Sequence, residues 1–196
     1  MGPMSSNNMI SRENRRTRLR LARQSIQHGF ECDGPLSVDL SEFPPELTVV
    51  RATFVTLEKQ GALRGCIGSL TAVRPLVEDI VHNAYAAAFM DPRFPPVDQS
   101  ELEALEIHLS VLSPSEPMQV ASEADLIAQL HPGIDGLIIE DGGRRATFLP
   151  SVWASLPQPE LFLRHLKQKA GLAPDHWSDR FKAYRYTTET IEEADA

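Results

Sequence analysis

One short stretch of this chain gathers the residue types most capable of chemistry. Leu63-Arg64-Gly65-Cys66-Ile67-Gly68 sets one of only two cysteines between two glycines, with an arginine two positions before it. In an extended strand alternate side chains point the same way, so Arg64 and Cys66 are expected to share a face, roughly 6.5–7 Å apart. A guanidinium at that range favours a thiolate, the form in which cysteine acts as nucleophile or covalent carrier. Gly65 and Gly68 give up packing that strands ordinarily make. Such glycines mark a bulge or the close approach of a ligand or another backbone. The alternative is a buried cysteine serving as a small hydrophobe, with glycines making room for a helix.

Two more polar residues stand near this stretch. Asn83 falls on the apolar stripe of a helix expected over residues 75–90, where an unpaired amide costs about 1–3 kcal/mol. It therefore ties down a neighbouring loop or meets a ligand. Arg93 lies in Asp91-Pro92-Arg93-Phe94-Pro95-Pro96, a stiff proline-flanked segment following that helix. It reads equally as an anion-binding arm and as a clamp on its own loop. With Arg64 it is expected to line one anionic-ligand site beside Cys66, the planar guanidinium forks suiting phosphate or carboxylate.

The elements that position these residues follow from periodicity. Ser11 is placed to cap a helix carrying Leu19, Ala22 and Ile26, with Gly29 near its stop. Arg12, Arg15, Arg16, Arg18, Arg20 and Arg23 crowd its other faces. They read as a solvated face or as a phosphate- or RNA-facing one. Residues 32–47 read as an irregular connection. Thr48–Leu57 and Ala62–Leu70 form an expected hairpin with Cys66 on its second strand. Leu105–Val111 alternates as a strand, with His108 on its polar side. A short helix over 121–130 follows. Gly136–Glu140 and Arg144–Leu149 flank the turn Asp141-Gly142-Gly143. Pro159 opens a helix burying Phe162, Leu166 and Ala170, with Lys167 and Lys169 at its carboxyl end. A strand over 181–186 closes the pattern. Hairpins rather than regular strand-helix-strand units imply α+β, with antiparallel sheets and packed helices. Residues 1–10 are expected to be a disordered lead, 11–190 one domain of two closely associated subdomains, and 191–196 an acidic tail.

Several motifs in order carry a family resemblance. The hexapeptide Leu63–Gly68, Asn83-Ala84, Asp91–Pro96, Ala146-Thr147-Phe148-Leu149-Pro150 with Val152-Trp153, and Lys169-Ala170-Gly171-Leu172 all occur. Over about Leu19–Glu189 the chain resembles the AMMECR domain, whose bacterial members are called AmmeMemoRadiSam system protein A. That resemblance implies two α/β subdomains with the hexapeptide near their junction, and partnership with Memo-like and radical-SAM proteins in a modification system. It also implies an RNA or small-molecule target. Two functions follow as expectations. In one, Cys66 is the catalytic candidate, with Arg64, Gly65, Gly68, Asn83 and Arg93 binding an anionic small molecule or RNA. In the other, the strand is a noncatalytic docking surface for a protein or nucleotide, and Cys66 is packed structure. Whether the protein is an enzyme stays open between them.

Composition bounds these readings. A formal charge of −8 over 196 residues argues against broad nonspecific nucleic-acid binding, though it allows a local basic patch. Six histidines and two cysteines show no close metal-ligand spacing such as CxxC or HxxxH. No phosphate loop or Gly-x-Ser-x-Gly elbow occurs, and no cofactor is evident. Without a secretory signal or a long apolar run, a reduced cytoplasmic setting and no membrane association are expected.

Overall fold

The structure is a computed structural model that describes the backbone of residues 6–193 and side chains from residue 12 onward. Residues 1–5 of the expected lead, residues 194–196 of the expected tail and the Ser11 side chain lie outside the described residues. In chain order the regular elements are α1 (Ser6–Glu31), α2 (Pro45–Thr48), β1 (Thr53–Lys59), β2 (Ala62–Gly68), α3 (Leu76–Phe89), β3 (Leu105–Leu112), β4 (Glu116–Pro117), α4 (Glu123–Gln129), β5 (Gly136–Asp141), β6 (Arg144–Phe148), α5 (Pro159–Lys169), β7 (Lys182–Tyr186) and β8 (Thr188–Glu192). They form two antiparallel sheets, ordered β2-β1-β3-β8 and β4-β7-β5-β6, with helices packed around them. The α+β expectation holds. The chain divides into one unit running to Val111 and resuming at Glu189, and a second of Leu112–Thr188.

In the first unit, α3 forms because Leu76, Val77, Ile80, Val81, Ala84, Ala87 and Ala88 recur at helical spacing, and all seven are buried. Each large aliphatic side chain removed from water there contributes about 1.5–3 kcal/mol. The helix ends at Phe89, just before Asp91-Pro92, where α geometry is disfavoured. It lies against β1 and β2, and α1 packs along it. Gly29 is not the stop of α1, which continues to Glu31. A side chain at Gly29 would instead strike the Phe89 and Tyr85 rings, so the glycine permits close helix packing. The helix also begins earlier than Ser11, and residues 6–10 of the expected lead are helical.

The chain's far end completes this unit. Ile191 on β8 is fully buried in its core. Arg18 meets Glu189 at 2.7 Å, and Arg23 meets Glu193 at 2.6 Å while also donating to the Leu102 and Leu105 carbonyls. The residues set apart as a solvated acidic tail from position 191 thus start inside a strand, because alternation too short to read as a strand still carries one buried apolar side chain.

In the second unit, β5 is buried on both faces, and α5 contributes Phe162, Leu163 and Leu166 to the core. The Trp153 ring stacks on Phe162 at 3.7 Å, and its Nε1 donates to the Asp135 carbonyl. Gly142 and Gly143 both have positive φ, the backbone a two-residue hairpin turn requires. Lys167, expected at the open end of α5, is instead fully buried and paired with Glu123 of α4 at 2.9 Å. Its neighbours Phe162, Leu163 and Leu166 turn that side of the helix inward.

Candidate functional site

Register decides what Cys66 faces. The β1–β2 turn is Gln60-Gly61, with Lys59 opposite Ala62 and Glu58 opposite Leu63. An unbroken ladder from that turn would place Arg64 opposite Leu57 and Cys66 opposite Val55. Both β1 residues are fully buried, so Cys66 would enter the core. The ladder instead shifts by one residue, pairing Gly65 with Leu57 and Cys66 with Thr56 and leaving Arg64 as the extra residue of a bulge. A one-residue slip exchanges the two faces of a strand. Cys66 therefore lands half-buried on the polar side of the sheet. Its Sγ accepts a hydrogen bond from the Thr56 hydroxyl at 3.3 Å.

Gly65 takes the core position that Cys66 gives up. A Cβ there would collide with the Ala87 carbonyl of α3, and one at Gly68 with the Thr53 carbonyl and the Phe54 ring. Close approach does explain both glycines, and what approaches is the protein itself. Asn83 likewise acts within the fold. Its Nδ2 donates to the Thr53 carbonyl, the Thr53 hydroxyl and the Asp79 carboxylate. Asp79 also accepts from the Thr53 amide and hydroxyl at 2.8 and 2.7 Å. This buried knot fastens α3 to the start of β1, the strand that presents Thr56.

The two arginines separate in role. Arg64 donates Nε and Nη2 to Glu101 and both Nη atoms to the carbonyls of Pro95 and Pro96. It is mostly buried and shares Glu101 with Lys59. Those hydrogen bonds, Arg64 first, hold the Glu101 carboxyl down at about 2. Arg64 is thus a brace between β2 and the proline segment, and the bulge removes the shared face expected with Cys66.

Arg93 is 54% exposed and stays beside the cysteine. Its Nε and Nη2 fork onto Asp91 at 2.9 and 2.6 Å, and Nη2 also donates to the Cys66 carbonyl at 3.2 Å. Asp91 is buried, and its Oδ2 accepts the Cys66 amide at 2.9 Å. One carboxylate therefore holds both the cysteine backbone and the guanidinium. Arg93 keeps the Asp91 carboxyl far below the usual carboxylate range despite burial. Arg93 is itself pushed up, chiefly by Asp91, with the Cys66 side chain among its smaller partners. The guanidinium also lies over the Phe94 ring, 5.5 Å from its centroid. The outer Nη1 makes no hydrogen bond to an oxygen or nitrogen among the described residues.

Asp91 and Thr56 are the residues sequence reasoning missed. Asp91 was legible as more than a helix terminator, since its Oδ1 accepts the Arg93 amide two residues on, the turn that Asp favours. Thr56 had no such local sign, because its partner depends on the bulge. His108 lies opposite Thr56 from the other side, so Cys66, Thr56 and His108 form a row across three strands. Two strand spacings, roughly 10 Å, separate cysteine from histidine, too far for a direct pair. His108 sits 3.7 Å from both Glu58 and Glu192. Among the described residues no cluster of His, Cys, Asp and Glu could hold a metal ion, and no helix is long and apolar enough to cross a membrane.

Comparison with known proteins matches residues 19–191 to the family model described as AMMECR1. A protein of Methanothermobacter thermautotrophicus is 39% identical over 188 residues, covering 94% of this chain and 96% of the relative. One of Thermococcus gammatolerans is 41% identical over 184 residues, covering 89% and 88%. The crystal structure of the uncharacterized protein PH0010 from Pyrococcus horikoshii matches with a TM-score of 0.81 at 37% identity, covering 89% of this chain and 88% of that one.

Proposed function

The chain belongs to the AMMECR1 family, and from that premise we propose that it binds a small anionic substrate at Arg93 and presents it to the Cys66 thiol. The observation that carries this reading is the division of Arg93 into two edges. One is locked by Asp91 and the Cys66 carbonyl, and the other stands open beside a half-buried sulfur. A preorganised guanidinium loses little freedom on meeting a phosphate or carboxylate, and with Nε and Nη2 committed its Nη1 still carries two N–H groups for the anion. The Thr56 hydroxyl donates to the sulfur and Arg93 is fastened to the Cys66 carbonyl, so a molecule held by the guanidinium lies next to a thiol able to carry or attack it. The setting that fits the family resemblance is an AmmeMemoRadiSam-type modification system, in which Memo-like and radical-SAM proteins make or consume what this site holds.

A second reading has one observation in its favour. The spaces at Gly65 and Gly68 are filled by Ala87, Thr53 and Phe54, so β2 is packed as structure. The strand would then be a noncatalytic docking surface. Co-purification with the Memo-like and radical-SAM partners, followed by intact mass and small-molecule analysis, separates the two. The substrate-site reading expects a bound or attached anionic species that Arg93→Ala and Cys66→Ala each lose. Retention of the same species by both variants would reject it. Partner capture with no small molecule in any sample would favour docking.

A further inference from the structure

The six arginines of α1 sort into two sets. Arg15, Arg18 and Arg23 turn toward the returning chain end and meet Glu189, Glu193 and backbone carbonyls. Arg12, Arg16 and Arg20 are exposed, and none has an ion-pair or hydrogen-bond partner among the described residues. They follow one another at four-residue spacing, so they form a row with about 6 Å of axial rise between neighbours. Gln24 continues that row. Beyond it an open groove of about 370 Å³ is lined by Gln24, Gln27, His28, Glu31 and Leu36. The inner arginines are explained by the fold, whereas the outer row makes no ion pair or hydrogen bond among the described residues.

We propose that this face of α1 binds a short single-stranded nucleic acid, with Arg12, Arg16 and Arg20 on successive phosphates and a base in the groove beside Gln24, Gln27 and His28. Arginine gives each phosphate a paired contact. The groove separates this partner from an acidic peptide. Glutamine amides both donate and accept, as base edges require, and an imidazole offers a ring for stacking. A run of acidic residues offers no flat ring to set against the imidazole. An anionic membrane is also a poor fit, because among the described residues the exposed face of α1 presents no apolar side chain to enter it. Two carboxylates bound the site: Glu13 shares the exposed face near Arg16, and Glu31 lines the groove. The acidic surplus of the chain repels other stretches of a polyanion and confines contact to this face.

The proposal does not depend on the Cys66 site, and its test leaves that site intact. Fluorescence anisotropy with a short labelled single-stranded RNA, its DNA counterpart and a labelled poly-glutamate peptide reads affinity across a salt series. The full chain is expected to bind RNA or DNA with a clear salt dependence. Replacing Arg12, Arg16 and Arg20 together by Gln is expected to weaken binding roughly tenfold or more and to flatten the slope of log K against log salt by about 2, since each single-strand phosphate contact contributes about 0.7. Gln24→Ala with Gln27→Ala should alter preference among homopolymers and leave the slope unchanged. All three arginines are exposed, so the unfolding midpoint of the triple variant serves as the folding control. Failure of the full chain to bind either nucleic acid would overturn the proposal. So would unchanged affinity and slope in the folded triple variant, or poly-glutamate binding as tightly as RNA.

Discussion

Cys66 is informative at the residue scale because its surroundings mix chemical and structural roles. Its amide and carbonyl are held by Asp91 and Arg93, so the backbone is fixed independently of the sulfur. Cys66→Ser is therefore expected to cost less than about 1 kcal/mol, since a serine oxygen can accept from Thr56 as the sulfur does. Thermal unfolding checks this, and a loss of several kcal/mol would mean that the sulfur's packing matters more than its hydrogen bond. Because Cys32 is exposed, reactivity is best measured in a Cys32→Ser background. There, native Cys66 is expected to take up iodoacetamide at neutral pH. Thr56→Val should slow that labelling severalfold and Thr56→Ser should preserve it, because only valine removes the hydroxyl donor. Equal rates for the two variants would deny Thr56 any part in activating the thiol.

At the scale of elements, β2 depends on two contacts that strand propensity does not describe. The first is the seat of Gly65 against α3. Gly65→Ala is expected to destabilise by about 2–3 kcal/mol, since a carbonyl of an intact helix cannot retreat as a side chain does. Gly68→Val should be worse than Gly68→Ala despite valine's better strand propensity. Denaturant titration ranks the three, and a neutral Gly65→Ala would show that the helix yields. The second contact is the clamp of Arg64 and Lys59 on Glu101, which joins β2 to the proline segment. Glu101 binds its proton more weakly folded than unfolded, so its contribution is complete above its ordinary value of 4.5 and is lost as pH falls toward about 2. Glu101→Gln is expected to lower the unfolding midpoint at neutral pH and to lessen the fall in stability across that acid window. An acid limb identical to that of the native protein would assign the acid sensitivity elsewhere, with Asp91 the next carboxyl to replace.

At the scale of the whole molecule, the first unit is closed by residues from the far end of the chain. β8 supplies Ile191 to its core, and Glu189 and Glu193 meet arginines of α1. Ile191→Ala removes a fully buried side chain and is expected to cost about 2–4 kcal/mol. Both tryptophans, Trp153 and Trp177, belong to the second unit, so their fluorescence follows that unit while far-UV circular dichroism follows both. Coincident downward shifts of the two transitions are expected if the chain unfolds in one step. A shift seen by circular dichroism alone would show that the units unfold separately. An unchanged midpoint by both probes would contradict the role given to Ile191.

What the sequence by itself determined is what neighbouring residues can enforce. The apolar spacing of Leu76–Ala88 specified α3, and the glycines after Asp141 specified a hairpin, because helical period and positive φ are local properties. The motifs from the hexapeptide to Lys169-Ala170-Gly171-Leu172 identified the family for the same reason. Only the tertiary structure decided which way Cys66 points, since a single bulge between Leu57 and Glu58 exchanges the faces of β2. It also decided that Arg64 braces and Arg93 stays open, and that the acidic end of the chain returns as a strand. Those outcomes depend on partners up to 171 residues apart, as for Arg18 and Glu189. No local propensity encodes such a partner, because which charges meet is settled by where packed elements bring them.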